Sequence, residues 1–184
     1  MRLSKWLAAA ALGAGIALPA AAALDVGASA PDFSAPASLA GKDYSFSLAD
    51  ALKQGPVVVY FYPKAFTKGC TVEAHLFAEA MDQYKALGAT VIGVSNDDID
   101  TLHKFSQSEC GGKFPVAADS DSKIMTAYDA KLPLVNYASR ISYVVTPDGK
   151  IIYTYSAMDP SQHVAKTLAA IKRWKSRQAP KTAS

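Results

Sequence analysis

Val57-Val-Val-Tyr-Phe-Tyr62 runs into Pro63-Lys-Ala-Phe-Thr-Lys-Gly-Cys70 and on into Thr71-Val-Glu-Ala-His-Leu-Phe77. The first segment is a near-continuous apolar run of β-branched and aromatic residues, the pattern of a strand buried on both faces. Pro63 stops it. A short polar loop follows, and a helical pattern opens with a cysteine in its first turn. Its apolar stripe continues through Val72, Leu76, Phe77, Ala80, Met81 and Tyr84 and ends near Gly88. A strand that delivers a thiol to a helix N-terminus makes a reactive cysteine. The free N–H groups and the helix dipole favour the thiolate, which is the nucleophile. Lys64 and Lys68 push the same way. Cys70 is therefore the expected nucleophile of an enzyme.

The chain around this stretch has 184 residues, half of them hydrophobic, enough for one domain with a substantial core. Residues 1–23 read as a secretory signal peptide. Arg2 and Lys5 form the charged start, residues 6–18 the apolar run, Pro19 a break, and residues 20–23 a small-residue cleavage site near Ala23. A retained anchor helix is the alternative, but the run is short for a membrane span. The expected mature protein, residues 24–178, is periplasmic or secreted, with no stable membrane insertion, and residues 179–184 read as a frayed tail. Of 19 basic residues against 16 acidic, two lie in the leader, so the remainder is close to neutral and points to no nucleic-acid partner. The basic cluster at Lys172, Arg173, Lys175, Arg177 and Lys181 reads as a solvated helix terminus.

Strands and helices alternate along the rest. Residues 32–34 and 44–48 read as two short strands about a turn at Gly41-Lys42, giving an N-terminal hairpin extension, and residues 48–53 as a short helix. Residues 90–95 form a second buried strand. Residues 96–100 carry three carboxylates and an amide that read as the cap of a helix running to about Glu109. Residues 114–117 read as a strand, 122–128 as a short helix, and 132–139 as irregular. Residues 141–145 and 151–155 form a hairpin about Thr146-Pro-Asp-Gly-Lys150, and a last helix starts at Asp159-Pro160. The expected class is α/β, a thioredoxin-like fold: a central mixed β-sheet with helices on both faces.

Pro63, Thr67 and Cys70 together form P-x-x-x-T-x-x-C, which resembles the active-site signature of peroxiredoxins. The run F-Y-P-K-A-F-T-K-G-C-T-V-E is most similar to the bacterioferritin-comigratory (PrxQ) subfamily. The likeness extends over about residues 30–170 through P-D-F, G-V-S-N-D, F-P-V-A-A-D and R-I-S-Y-V-V-T-P-D-G-K. The resemblance implies a thiol-dependent peroxidase acting on hydrogen peroxide and organic hydroperoxides, without metal or organic cofactor. Cys70 would be the peroxidatic cysteine. Thr67 would hydrogen-bond the thiolate or the peroxide, Pro63 would shield the pocket, Arg140 would hold the thiolate, and Glu73 would orient the arginine.

Physical chemistry agrees on Arg140. It is the only arginine between the leader and the last helix, and it opens a buried-looking strand, where an unpaired charge is costly. Glu73 and Thr67 also have plain readings, as an exposed helix position and a helix N-cap. Many relatives carry a second cysteine five residues after the first, where this chain has His75, read as an ordinary helix histidine. Cys110 then has three readings: the resolving cysteine of a Cys70–Cys110 disulfide recycled by a thioredoxin-like dithiol protein, a free cysteine in a one-Cys enzyme, or half of a static disulfide. The subfamily tends to monomers, with dimers as the alternative. The rival function is an exported thioredoxin-fold module for binding or thiol exchange, without peroxidase activity. The lack of C-x-x-C argues against thiol exchange, and binding alone leaves Thr67, Cys70 and Arg140 unexplained.

Overall fold

The computed structural model describes residues 23–178. The expected signal peptide, but for its last residue, and the expected tail lie outside the described residues. The first strand of the opening stretch, β3 (Val57–Phe61), is buried along its whole length. Val57, Val59 and Phe61 enter the apolar core on one side of the sheet, and Val58 and Tyr60 the core on the other. A strand apolar on both faces belongs in the middle of a sheet. β3 pairs parallel with β4 (Thr90–Ser95) and antiparallel with β6 (Ile141–Val145). Four further strands, β1 (Ser34–Leu39), β2 (Lys42–Ser47), β5 (Val116–Ala118) and β7 (Ile151–Ser156), complete a seven-stranded mixed sheet of order β2-β1-β5-β4-β3-β6-β7.

Helices cover both faces, as a thioredoxin-like fold requires. On one side α2 (Lys68–Ala86), α3 (Ile99–Ser108) and α5 (His163–Gln178) pack with Tyr60, Phe77, Tyr84, Phe105 and Phe114. On the other, α1 (Leu48–Leu52) and α4 (Lys123–Ala127) close over Phe33, Phe61, Tyr128 and Tyr143. A buried hydroxyl pair, Tyr84 Oη to Thr167 Oγ1 at 2.7 Å, ties α2 to α5. Residues just after the expected cleavage point are already docked: Leu24 N donates to Tyr143 Oη at 3.2 Å, and Thr154 Oγ1 donates to the Leu24 carbonyl at 2.9 Å.

Most expected elements are present within a residue or two. The first strand is the exception: it begins where residues 32–34 end and runs on to Leu39. Pro36 discourages a strand reading there. It is tolerated because β5 meets β1 only at Ala37 and Ser38, so Pro36 flanks that ladder instead of interrupting it. The hairpin turns at Ala40-Gly41, one residue earlier than expected, with φ of 51° and 72°. Two consecutive positive φ angles match the twist of the strands, but alanine is an unusual first residue for such a turn.

Gly93 on β4 is closely packed against the Tyr60 ring. A Cβ there would lie 2.7 Å from Tyr60 Cζ, and the Tyr60 ring cannot retreat, being stacked on Phe77 with centroids 4.4 Å apart. Gly93→Ala should cost about 1–3 kcal/mol through overpacking, read as a lowered denaturant midpoint with an unchanged slope.

Candidate active site

Phe61 pairs with Ile141, so the chain leaving β3 and the chain entering β6 meet at one end of the sheet. The first supplies Cys70 in the opening turn of α2, and the second supplies Arg140. Cys70 is 2% exposed and Arg140 3%. Arg140 Nη2 donates to Cys70 Sγ at 3.4 Å, Nε donates to the Met158 carbonyl at 3.0 Å, and Nη1 is paired with Glu73 Oε2. The guanidinium is thus held by backbone and carboxyl and aimed at the sulfur. Glu73 lies one turn past Cys70 on the same face of α2 and is fully buried, which excludes the exposed-helix reading. Gly69 makes room for this contact, since a Cβ there would sit 3.0 Å from Nη2.

The loop between β3 and α2 is held from below. Asp97 Oδ2 accepts from Ala65 N at 2.8 Å and from Ser95 Oγ at 2.9 Å, with Lys64 Nζ 3.8 Å from the other oxygen. Asp97 is thus not a helix cap; Asp98 fills that role, accepting from Thr101 N at 2.7 Å. Phe66 has φ 62°, a left-handed conformation unfavourable for a bulky side chain. Its ring stands edge-on against Phe105, centroids 5.2 Å apart. Pro63 is half-buried at the mouth of the loop. Thr67 differs from the capping and thiolate readings in where its hydroxyl hydrogen goes. It occupies the N-cap position of α2, but its hydroxyl makes no capping bond and donates to the Lys64 carbonyl at 2.9 Å, not to the sulfur. The tight turn at residues 64–67 brings that carbonyl within reach of the hydroxyl. The oxygen's lone pairs remain free to accept from a ligand.

Burial dominates the electrostatics. It pushes the Glu73 carboxyl up to about 8 against the pull of Arg140. It also lowers the His163 imidazole, with the Arg140 charge adding to that. Burial works against the Arg140 charge as well, but Glu73 and Cys70 outweigh it and the net shift is upward.

Cys70 and Cys110 are both free thiols in this structure. Cys110 lies two residues past the end of α3, fully buried in the same core as Cys70. Burial and the neighbouring Glu109 push its thiol up. Glu109 is itself tied to α2, with Oε2 3.0 Å from His75 Nε2. The histidine read as ordinary therefore links α2, which carries Cys70, to the end of α3 just before Cys110.

Four contributors escaped the sequence reading: Gly69, Asp97, His163 and the Met158 carbonyl. Asp97 was visible only as one acid in a run. His163 carried no signal, being one polar residue at the start of a helix.

A model of the AhpC/TSA family matches residues 26–154. The chain is 31% identical over 148 residues to a chloroplastic peroxiredoxin Q of rice (Oryza sativa subsp. japonica). That match covers 79% of this chain and spans 66% of the rice protein's length. Among solved structures, the peroxidoxin BcpB of Mycobacterium tuberculosis superposes with a TM-score of 0.74 at 26% identity, covering 80% of this chain and 96% of that one. A peroxiredoxin Q of Xanthomonas campestris gives 0.67 at 28% identity, covering 75% and 89%.

The raised Glu73 value has a signed consequence. Folding tightens proton binding at Glu73, so its contribution to stability is complete below its ordinary value of 4.5 and is lost as pH rises through about 8. His163, lowered by burial, acts in the opposite sense around its ordinary 6.5. Denaturation midpoints of wild type and Glu73→Gln from pH 5 to 9 separate the two: wild type should lose stability relative to the variant as pH rises.

Proposed function

The chain belongs to the AhpC/TSA family, on its peroxiredoxin Q/Bcp-like side, and from that premise we propose that it is an exported thiol-dependent peroxidase using Cys70. The observation that carries this reading is the buried Arg140 guanidinium, held by Glu73 and the Met158 carbonyl and aimed at Cys70 Sγ. A neutral-thiol binding module has no use for that arrangement. A reacting thiolate needs a cation that orients it and stabilises charge as the O–O bond breaks.

The Cys70 thiolate attacks one peroxide oxygen, forming the S–O bond of a sulfenic acid. The O–O bond breaks, and the other oxygen leaves as alkoxide or hydroxide and takes a proton to become alcohol or water. Arg140 donates toward the sulfur and the developing charge. Thr67 keeps its hydroxyl hydrogen on Lys64 and offers its oxygen to the hydroperoxide O–H. Pro63 limits access of water. Phe66, about half exposed, and the exposed Val135 and Tyr137 supply apolar surface for the organic group of a hydroperoxide.

Cys110 is the resolving thiol. Its attack on the sulfenic acid forms the Cys70–Cys110 disulfide and releases water, and a thioredoxin-like dithiol protein reduces that disulfide. Both thiols are buried in the reduced form, so this step needs the start of α2 and the end of α3 to open. Consecutive glycines with φ of 57° and 65° follow Cys110 and supply a hinge. The protein works as a monomer in the periplasm after cleavage near Ala23. The docking of residues from Leu24 onward supports a domain that starts there.

One equivalent of hydrogen peroxide added to the reduced protein should lower the intact mass by two hydrogens, with Cys70 and Cys110 joined in the peptide map. Cys110→Ser should stop at an oxygen adduct on Cys70. Peroxide consumption by Cys70→Ser at the wild-type rate would sink the peroxidase reading.

Export is tested separately. Protein recovered from the periplasm should begin within a few residues of Leu24. Recovery of the full-length chain in the cytoplasm would contradict it.

A further inference from the structure

The exposed apolar residues beside the Cys70 loop come from two separate pieces of chain, and one side chain joins the pieces. Phe66 belongs to the loop between β3 and α2, and Val135 and Tyr137 belong to the stretch before Arg140. Lys64, two residues before Phe66, sets its Nζ over the Tyr137 ring, 5.6 Å from the centroid, within the range of a cation–π contact. The same ammonium lies 3.8 Å from Asp97 Oδ1. Asp97 is buried, and its other oxygen accepts from Ala65 N at 2.8 Å. A fixed carboxylate therefore places the lysine head, and the lysine head in turn places the ring.

The stretch that carries Tyr137 is a small hairpin. Lys131 bridges to Ala138, and Leu132 N donates to the Tyr137 carbonyl at 2.9 Å. Asn136 Oδ1 accepts from Ser122 Oγ, a buried hydroxyl at the start of α4, at 2.7 Å. The base of the hairpin is thus fixed to α4, and Lys64 fixes its ring to the Cys70 loop. Its tip, Leu134, is fully exposed and held at φ 65°, a conformation unfavourable for a leucine. Backbone strain of this kind concentrates at ligand contacts. Hydrogen peroxide needs only the groups around Cys70 Sγ. An organic hydroperoxide brings the same O–O bond together with a carbon group that lies farther out, where Phe66, Val135 and Tyr137 stand. We propose that Lys64 is a specificity-determining residue: held by Asp97 and seated on Tyr137, it joins the two loops into one apolar wall that favours organic hydroperoxides over hydrogen peroxide.

This role rests on the peroxidase reading and names what selects its substrate. Lys64 has a competing role, as one more cation favouring the Cys70 thiolate. That role acts on the sulfur and touches every peroxide alike, whereas the wall acts only on substrates that reach it. The readout is therefore a ratio: the second-order rate of Cys70 oxidation by cumene hydroperoxide over that by hydrogen peroxide, each from a single turnover of the reduced protein. Lys64→Met should lower the ratio about two- to fivefold, the span expected of an exposed cation–π contact. Lys64→Arg keeps a cation for both the carboxylate and the ring, and should restore the ratio. In a Tyr137→Leu background, where the ring is absent, Lys64→Met should no longer move the ratio. Equal slowing on both peroxides, or an effect that persists in full without the Tyr137 ring, would overturn the proposal and leave Lys64 as a cation that serves the thiolate. If Lys64→Met does not fold, Lys64→Gln, which also lacks the charge, is read in the same way. Hydrogen peroxide consumption that survives Cys70→Ser would remove the peroxidase reading and this proposal with it. Consumption that depends on Cys70, with an unmoved ratio in Lys64→Met, would remove this proposal alone.

Discussion

A guanidinium buried between a thiol and a carboxyl is the constraint on which the rest of this structure depends. Taking such a cation out of water costs several kcal/mol, roughly, unless its donors are met by well-placed acceptors. Arg140, at the entry to β6, meets three, from two other parts of the chain: Glu73 and Cys70 on one helix and the Met158 carbonyl after β7. Each fixes something local. Glu73 and Cys70 must lie one turn apart on the same face of α2. A Cβ on the residue before the cysteine would press on Nη2. β6 must pair with β3 in the observed register, because a slip of one residue would carry Arg140 to the other face of the sheet.

The same constraint accounts for the strained loop. A relaxed connection from β3 to α2 would not need Phe66 at a positive φ or a buried aspartate beneath Ala65. Both are present. Asp97 comes from the end of β4, the parallel neighbour of β3, so the loop that sets the cysteine is braced by the strand beside it. Strain of this kind persists only when the surroundings over-determine the backbone. Here the surroundings are the Asp97 bonds, the packing of Phe66 on Phe105, and the first turn of α2.

Much of this was legible in the sequence, for a physical reason. Residues 57–62 are apolar on both faces, so a central strand was their only economical place, and the helix after the loop carried an unbroken stripe. Arg140 stood out because it was a lone arginine at the start of a buried strand. Glu73 had two readings, since the position that packs against Arg140 and an exposed position differ only by the helix's rotation about its axis. Asp97 and His163 stayed hidden for a different reason. Their partners are backbone groups and side chains distant in sequence, and polar contacts of that kind leave no period to read. Thr67 was recognised as important, and in the structure its hydroxyl donates to the Lys64 carbonyl because the short turn puts that oxygen within reach.

What makes Cys70 precise also makes the second half of the proposed cycle costly. Cys110 is fully buried, its amide and carbonyl are bonded within the turn that closes α3, and the residue before it is tied to His75 on α2. Bringing the sulfurs together breaks those turn bonds and uncovers apolar surface at both helix ends. The break is favoured at one place, the glycine pair after Cys110, where the turn relies on conformations that other residues avoid. The rigid half of the site is thus anchored on sheet strands and the movable half on a helix terminus. Helix termini open locally at far lower free energy than central strands do. In the proposed cycle, peroxide reduction and resolution then share one small core, with the opening at the helix ends and Arg140 and Glu73 in place behind it.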